Sequence, residues 1–259
     1  MTDQAFTPRA ALVTGGARRI GRAIVLALHQ AGYAVAIHAQ RSLGEAETLR
    51  DEIARAGGRA AIVRADLADR AAVAGLVAAA VGAVGPLSLL VNNASSFEPD
   101  EIGALDAARF DRQMAVNLRA PLFLAEAFAA QAQNLSPDPG ASIVNILDQR
   151  VFRPTPHFVS YTLAKAALHT ATRMLAQALA PKVRVNAVAP GPTVASARQS
   201  AEDFARQAAS VPLGRGPDAE EIAAAVLYLG GARSVTGVTL AVDGGQHLAW
   251  RTEDAELTE

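Results

Sequence analysis

The sequence predicts an α/β fold: a single-domain, doubly wound parallel sheet of about seven strands with helices on both faces. Three observations lead there. Short apolar runs alternate with helix-length segments along nearly all of the 259 residues. The runs are continuously apolar, as strands covered on both faces must be. No linker, composition shift or internal repeat interrupts the alternation, so one domain takes residues 1–259, with a core of about 9–250 and a polar tail at 251–259.

The elements follow in order. Ala10 to Thr14 reads as a strand, and Arg18 to Ala31 as a helix stopped by Gly32. Tyr33 to His38 is the second strand. Leu43 to Ala56 is a helix with Glu and Arg on its outer face, stopped by Gly57 and Gly58. Arg59 to Arg64 is the third strand, and Asp69 to Val81 a helix with Val73, Leu76 and Ala80 on one face. Leu87 to Asn92 is the fourth strand. Asp106 to Gln131 is a long helical region that Pro121 bends. Ala141 to Leu147, Val183 to Val188 and Val238 to Val242 are the last three strands, with helices at Phe158 to Ala180 and Asp218 to Leu229. The loop from Asn134 to Gly140 is a surface connection. Thr193 to Val211 is Ala-rich and gives no clear reading.

Composition excludes several classes of function. Zero Cys removes disulfides, Cys-ligated metals and a thiol nucleophile, and fits a cytoplasmic protein. A net charge of −1 does not suit a nucleic-acid coat or a polybasic membrane binder. Ala71 to Val91 carries no charge, but Gly82, Gly85 and Pro86 divide it into a helix and a strand, so no membrane span is expected. The five His, at 29, 38, 157, 169 and 247, lack metal-ligand spacing, and no metal is expected.

The first strand runs into Thr14-Gly15-Gly16-Ala17-Arg18-Arg19-Ile20-Gly21, and a helix follows. In a strand–turn–helix unit, glycines let the backbone approach a pyrophosphate seated on the helix N-terminus. Cofactor choice is read at the end of the second strand, where NAD-type sites place an acid for the ribose 2′-hydroxyl. Here the segment is His38-Ala39-Gln40-Arg41-Ser42, with no acid before Glu45. His38, Arg41 and Ser42 suit a 2′-phosphate; the bland alternative is that Arg41 is simply solvated. The missing acid favours NADP.

Tyr161 and Lys165 stand four residues apart on a predicted helix, which places them on one face. A nearby ammonium stabilises phenolate and lowers the pKa of the phenol. Lys165 and Lys182 are the only lysines in the chain, so the pairing is unlike an ordinary surface pair.

Together these residues resemble the short-chain dehydrogenase/reductase family, from about Arg9 to His247, with its Rossmann-type fold. The resemblance implies a cofactor turn at Gly15, Arg19, Ile20 and Gly21, and contacts beside the adenine at Asp66 and Leu67. It implies cofactor contacts at Asn93, Ala94 and Ser95, and at Pro190, Gly191 and Thr193 beside the nicotinamide. It makes Asn117, Tyr161 and Lys165 catalytic, with Lys165 holding the nicotinamide ribose and Asn117 a water chain behind it. Ser234, Thr236-Gly237 and Asp243-Gly244-Gly245 are similar to its closing motif. A homotetramer is expected.

Three departures are informative. The middle Gly of the family turn is Arg19 here, the catalytic Ser is Asp148, and the run after the fourth strand is Asn93-Ala94-Ser95-Ser96-Phe97. All three are similar to the pteridine reductase branch. They imply a flat pterin stacked on Phe97, with Arg19 and Ser95 also touching it and Tyr161 with Asp148 supplying the proton. Arg150 and Arg153 flank a loop with Pro154 and Pro156 near the predicted mouth; they read as solvated loop residues, with substrate contact as the alternative. Two other readings stay open: a general carbonyl or alcohol reductase, which predicts Ser at 148, and a non-catalytic NADPH-binding regulator, which intact Asn117, Tyr161 and Lys165 count against.

Overall fold

The computed structural model describes residues 9–133, 140–196 and 198–249. Most of the loop before Gly140 and the tail at 251–259 lie outside the described residues. The strands are β1 Ala10–Val13, β2 Ala34–Ala39, β3 Ala60–Arg64, β4 Leu87–Asn92, β5 Ala141–Ile146, β6 Val183–Pro190 and β7 Thr239–Val242. They form one seven-stranded sheet in the order β3-β2-β1-β4-β5-β6-β7, and every pairing is parallel. Strand order reverses between β1 and β4, which opens a crevice beyond the carboxyl ends of those strands, where α/β sheets bind ligands.

The helices are α1 Arg19–Gln30, α2 Leu43–Arg55, α3 Arg70–Val84, α4 Ala107–Met114, α5 Ala120–Ala132, α6 Val159–Leu179, α7 Ala201–Ala209 and α8 Ala219–Gly231. One face of the sheet buries Leu28, Leu49 and Val226 from α1, α2 and α8. The other buries Leu76, Leu124 and Phe128 from α3 and α5. The apolar strands are thus dry on both sides, as their composition requires. Helix starts carry ordinary caps: Asp69 accepts from Ala71, and Asp218 with Glu221 makes a capping box on α8.

The structure corrects the reading of two segments. The region expected as one bent helix is α4 and α5 joined by a wide turn of π-helix at Ala115–Arg119. Pro121 sits just beyond it and has no N–H for the carbonyl four residues back, so the tight ladder cannot run straight through. The Ala-rich 193–211 segment contains α7, whose first turn is capped by the Ser200 hydroxyl accepting from the Asp203 N–H. Among the described residues no helix is long and apolar enough to cross a membrane.

Candidate active site

The glycine turn after β1 is built by close backbone approach. Gly15 adopts φ +61°, the left-handed region. A Cβ on Gly21 would lie 2.1 Å from the Gly15 carbonyl oxygen, so position 21 takes no side chain. Asn93, just past β4, staples the turn from the side: its Nδ2 donates to the carbonyls of Thr14 (2.9 Å) and Gly15 (3.0 Å). The Thr14 hydroxyl accepts from the N–H groups of Asn93 and Ala94. Helix α1 has Arg18 at its N-cap position, with no side-chain cap and no acid in its first turn. That leaves N–H donors and a positive dipole end aimed at the turn, which fits a pyrophosphate. Ile20 is half-buried behind it.

Arg19 takes φ +54°, the left-handed region that favours glycine. An L-residue held there is strained by about 1–2 kcal/mol. Its Nη2 donates to the Val194 carbonyl at 2.9 Å, tying the turn to the loop after β6.

His38 stands apart from the expected 2′-phosphate contact. The ring is 2% exposed; Nδ1 accepts from the Gly15 N–H at 3.0 Å and Nε2 faces the Ala65 carbonyl at 3.2 Å. That pairing makes Nε2 the donor in a neutral ring, and burial lowers the imidazole pKa. His38 therefore shapes the turn from beneath rather than facing a phosphate. Arg41 is exposed at the mouth, and Ser42, half-buried, starts α2 with its hydroxyl uncommitted to the helix. Both are free to meet an anion. Leu67 is buried, and Asp66 Oδ1 accepts from the Ala68 N–H at 2.9 Å.

On the other side of the crevice, Pro190 ends β6. A Cβ on Gly191 would lie 2.7 Å from the Asp243 Cα, so this turn packs directly on the closing loop. The Thr193 hydroxyl donates to the Gly191 carbonyl. Asp243 is buried and accepts from the N–H groups of Gly245 and His247.

Tyr161 and Lys165 point inward from the first turns of α6, both nearly fully buried. The Tyr161 hydroxyl donates to Asp148 Oδ2 at 3.0 Å. Lys165 Nζ donates to the Ile146 carbonyl at 2.6 Å, and burial lowers its pKa to about 8, with Asp148 pulling the other way. Burial, then the Asp148 carboxylate, push the Tyr161 phenol well above its ordinary value, while Arg150 and the Ser95 hydroxyl pull it down.

Arg150, which the sequence places on a loop by the mouth, is a second cation of the site beside Lys165. A short 3₁₀ turn at Gln149–Val151 folds it back so that Nη1 lies 3.2 Å from Asp148 Oδ2. Asp148 also caps that turn, accepting from the Arg150 N–H at 2.9 Å. The guanidinium sits over the rings of Phe97 and Phe158, at 5.7 and 5.3 Å from their centroids. Phe97 stacks on Phe158 at 4.4 Å with the rings 3° from parallel, and meets the Tyr161 ring edge-on at 4.7 Å. Phe158, read from the sequence only as the first residue of a helix, holds φ +58° at the start of α6.

The Asn117 side chain is held by the loop after β4. The π turn swings its side chain toward the loop after β4. There Oδ1 accepts from the Ser95 hydroxyl (3.0 Å) and the Ser96 N–H (2.9 Å), and Nδ2 donates to the Ser96 carbonyl (2.8 Å). Ser95, exposed at the site, thus donates its hydroxyl proton to Asn117 while its oxygen also faces Tyr161. Among the described residues no group of three or more His, Asp or Glu is arranged to hold a metal.

Fold and site together define an oxidoreductase of the dinucleotide-binding α/β class. The chain belongs to the short-chain dehydrogenase/reductase family: a family model described as enoyl-(acyl carrier protein) reductase matches residues 15–247. Pteridine reductase 1 of Leishmania tarentolae is 34% identical over 290 residues, covering 96% of this chain and 99% of the relative. L-xylulose reductase of Bos taurus is 34% identical over 250 residues, covering 94% and 98%. The structure of FolM alternative dihydrofolate reductase 1 from Brucella canis, complexed with NADP, matches with a TM-score of 0.89 and 52% identity, over 95% of this chain and 96% of that one.

Proposed function

We propose that the chain is an NADPH-dependent pteridine reductase that reduces a C=N bond of a dihydropterin such as dihydromonapterin or dihydrobiopterin. The observation that carries this reading is Asp148, at the position of the family Ser, accepting the Tyr161 hydroxyl beside the Phe97–Phe158 stack. A carboxyl there can carry a proton for ring-nitrogen chemistry, and the stack offers a flat wall. The names of the Leishmania and Brucella relatives support it.

The Gly15–Gly21 turn and the uncapped start of α1 would hold the pyrophosphate, Arg41 and Ser42 the 2′-phosphate, and Lys165 the nicotinamide ribose. NADPH, when bound, supplies the hydride. The chain supplies the proton. A bare phenolate at Tyr161 beside the Asp148 carboxylate is disfavoured, because like charges repel in a buried site. Asp148 takes up a proton from water before each turnover; Tyr161 Oη then passes its own proton to the ring nitrogen as it receives that one, and Asp148 returns to the carboxylate that Arg150 pairs. A homotetramer is the assembly expected with this family, to be checked by light scattering.

The test is loss of reduced-nicotinamide absorbance with NADPH and a dihydropterin, run beside NADH and a simple keto-ester. Turnover with NADPH and the pterin is expected; turnover confined to the keto-ester would discard the roles of Asp148 and Phe97. In the same assay Arg41→Ala should raise the KM for NADPH about tenfold or more and leave that for NADH unchanged, the worth of a charge-assisted phosphate contact.

Lys165 adds a pH dependence. Its folded pKa, about 8, lies below the ordinary lysine value, so the ammonium is intact below that pH and lost above it. NADPH affinity, followed by its fluorescence, should be flat through neutrality and fall above pH 8 by up to about tenfold per pH unit. A flat profile into the alkaline range would remove Lys165 from cofactor binding.

A further inference from the structure

Asp100 is a buried carboxylate that the reaction itself does not use. It lies in the loop after β4, three residues past Phe97, and is 7% exposed. All of its polar contacts run to the start of α6. Its carbonyl accepts from the N–H of Phe158 at 2.8 Å and of Val159 at 3.4 Å. Its carboxylate accepts from the Ser160 N–H, at 3.2 and 3.3 Å to the two oxygens, and from the Ser160 hydroxyl. A residue 60 positions earlier thus satisfies three successive N–H groups at the beginning of the helix that carries Tyr161 and Lys165.

Helix α6 needs this. Its N-cap position is Phe158, whose side chain makes no capping bond and whose backbone is left-handed. Every other helix of eight residues or more that opens on a loop and bears a side-chain cap takes it from its own N-cap residue: Asp69, Asp106, Ser200 and Asp218. In α6 the cap is delivered from across the crevice. The loop that delivers it is itself pinned: Glu98 accepts from Gln113, Pro99 from Arg109, and Phe97 from Arg198. Phe97 and Phe158, flanking the polar pin, stack on each other.

We propose that Asp100 is a positioning residue: by capping α6 from the loop that carries Phe97, it fixes the Tyr161 hydroxyl relative to that aromatic wall. Tyr161 follows Ser160 directly, so any slack in the cap is passed to the proton donor. The inference rests on Tyr161 as the donor and not on the identity of the substrate.

The test compares Asp100→Ala, Asp100→Asn and Ser160→Ala with the parent enzyme, using whichever of the dihydropterin and the keto-ester is turned over. Asp100→Ala should lower kcat by about tenfold or more, since small misplacements of a reacting group cost that much, while NADPH affinity by fluorescence stays within about threefold. Asparagine is also a good cap, so Asp100→Asn should restore most of kcat, and Ser160→Ala, which keeps its backbone N–H, should stay close to wild type. Amide exchange gives a readout that needs no turnover: in Asp100→Ala the 158–162 and 95–99 segments should lose protection together. If Asp100→Ala does not fold, Asp100→Glu, which keeps charge and acceptor but lengthens the reach by a methylene, takes its place with the same expected loss. Wild-type kcat in the Ala (or Glu) variant, a full loss shared by Asp100→Asn, or unchanged exchange at 158–162 would overturn the proposal. Failure of the pterin reading alone would leave the kcat loss visible on the keto-ester.

Discussion

Asp148→Ala should lower kcat on a dihydropterin by about 100-fold to 10,000-fold, the range a positioned proton-transfer group contributes. NADPH affinity should change little, because Asp148 faces Tyr161 and Arg150 rather than the glycine turn. Two effects combine in the loss. The Tyr161 hydroxyl loses its acceptor and the group that replenishes its proton. Arg150 keeps its charge, largely enclosed at 19% side-chain exposure, with no carboxylate against it. Asp148→Asn separates the two, since it can keep the cap on the 149–151 turn but carries neither the proton nor the charge. It should be as inactive as the Ala variant while melting closer to wild type. Asp148→Ser installs the residue of the wider family; it should lose pterin turnover and keep or gain activity on the keto-ester. Full pterin turnover in Asp148→Ala would remove Asp148 from the chemistry.

Much of this site is legible in the sequence, because its strongest signals are local. A glycine that must lie against a carbonyl, an i to i+4 Tyr–Lys pair and a strand with fixed neighbours all follow from spacing, and β4 runs over the residues that its apolar pattern marks. What is missed depends on contacts across the fold. His38 reads as a polar side chain beside a phosphate, but its ring is claimed by Gly15 and Ala65, which the sequence does not place together. Asn117 reads as a catalytic-helix asparagine, yet its direction is set by a π turn that no residue pattern announces. Asp100 caps a helix 60 residues away, so no window of sequence contains the pair. Helix α7 is a different case. Ser200 followed by Asp203 is a start signal plainly present in the chain, masked by the Ala-rich composition around it. Tyr161 shows the limit of residue-type reasoning: a lysine four residues on suggests an acidified phenol, but burial and Asp148 outweigh it.

Gly21→Ala should abolish NADPH binding at ordinary concentrations, with a loss of affinity of about 100-fold or more. The added Cβ would lie 2.1 Å from the Gly15 carbonyl oxygen and 2.7 Å from Asn93 Nδ2. Neither neighbour can yield cheaply. The Gly15 carbonyl is backbone, and the Asn93 amide is the staple that holds Thr14 and Gly15 in register with β4. Relieving the clash must open the turn or push α1 off it, and either moves the N–H donors that a pyrophosphate needs. The damage is to be local: α1 is anchored further along by Ile24, Val25 and Leu28, all nearly fully buried, so the variant should fold with a lowered melting temperature. Gly44→Ala is the matched control. Position 44 lies in the first turns of α2 with nothing within 4 Å of the added methyl, and the change should be neutral to stabilising by up to about 1 kcal/mol. Fluorescence titration with NADPH and a thermal melt of both variants decide the matter. Near-wild-type affinity in Gly21→Ala would mean that the cofactor does not depend on this turn, and the placement of the pyrophosphate at α1 would fall with it.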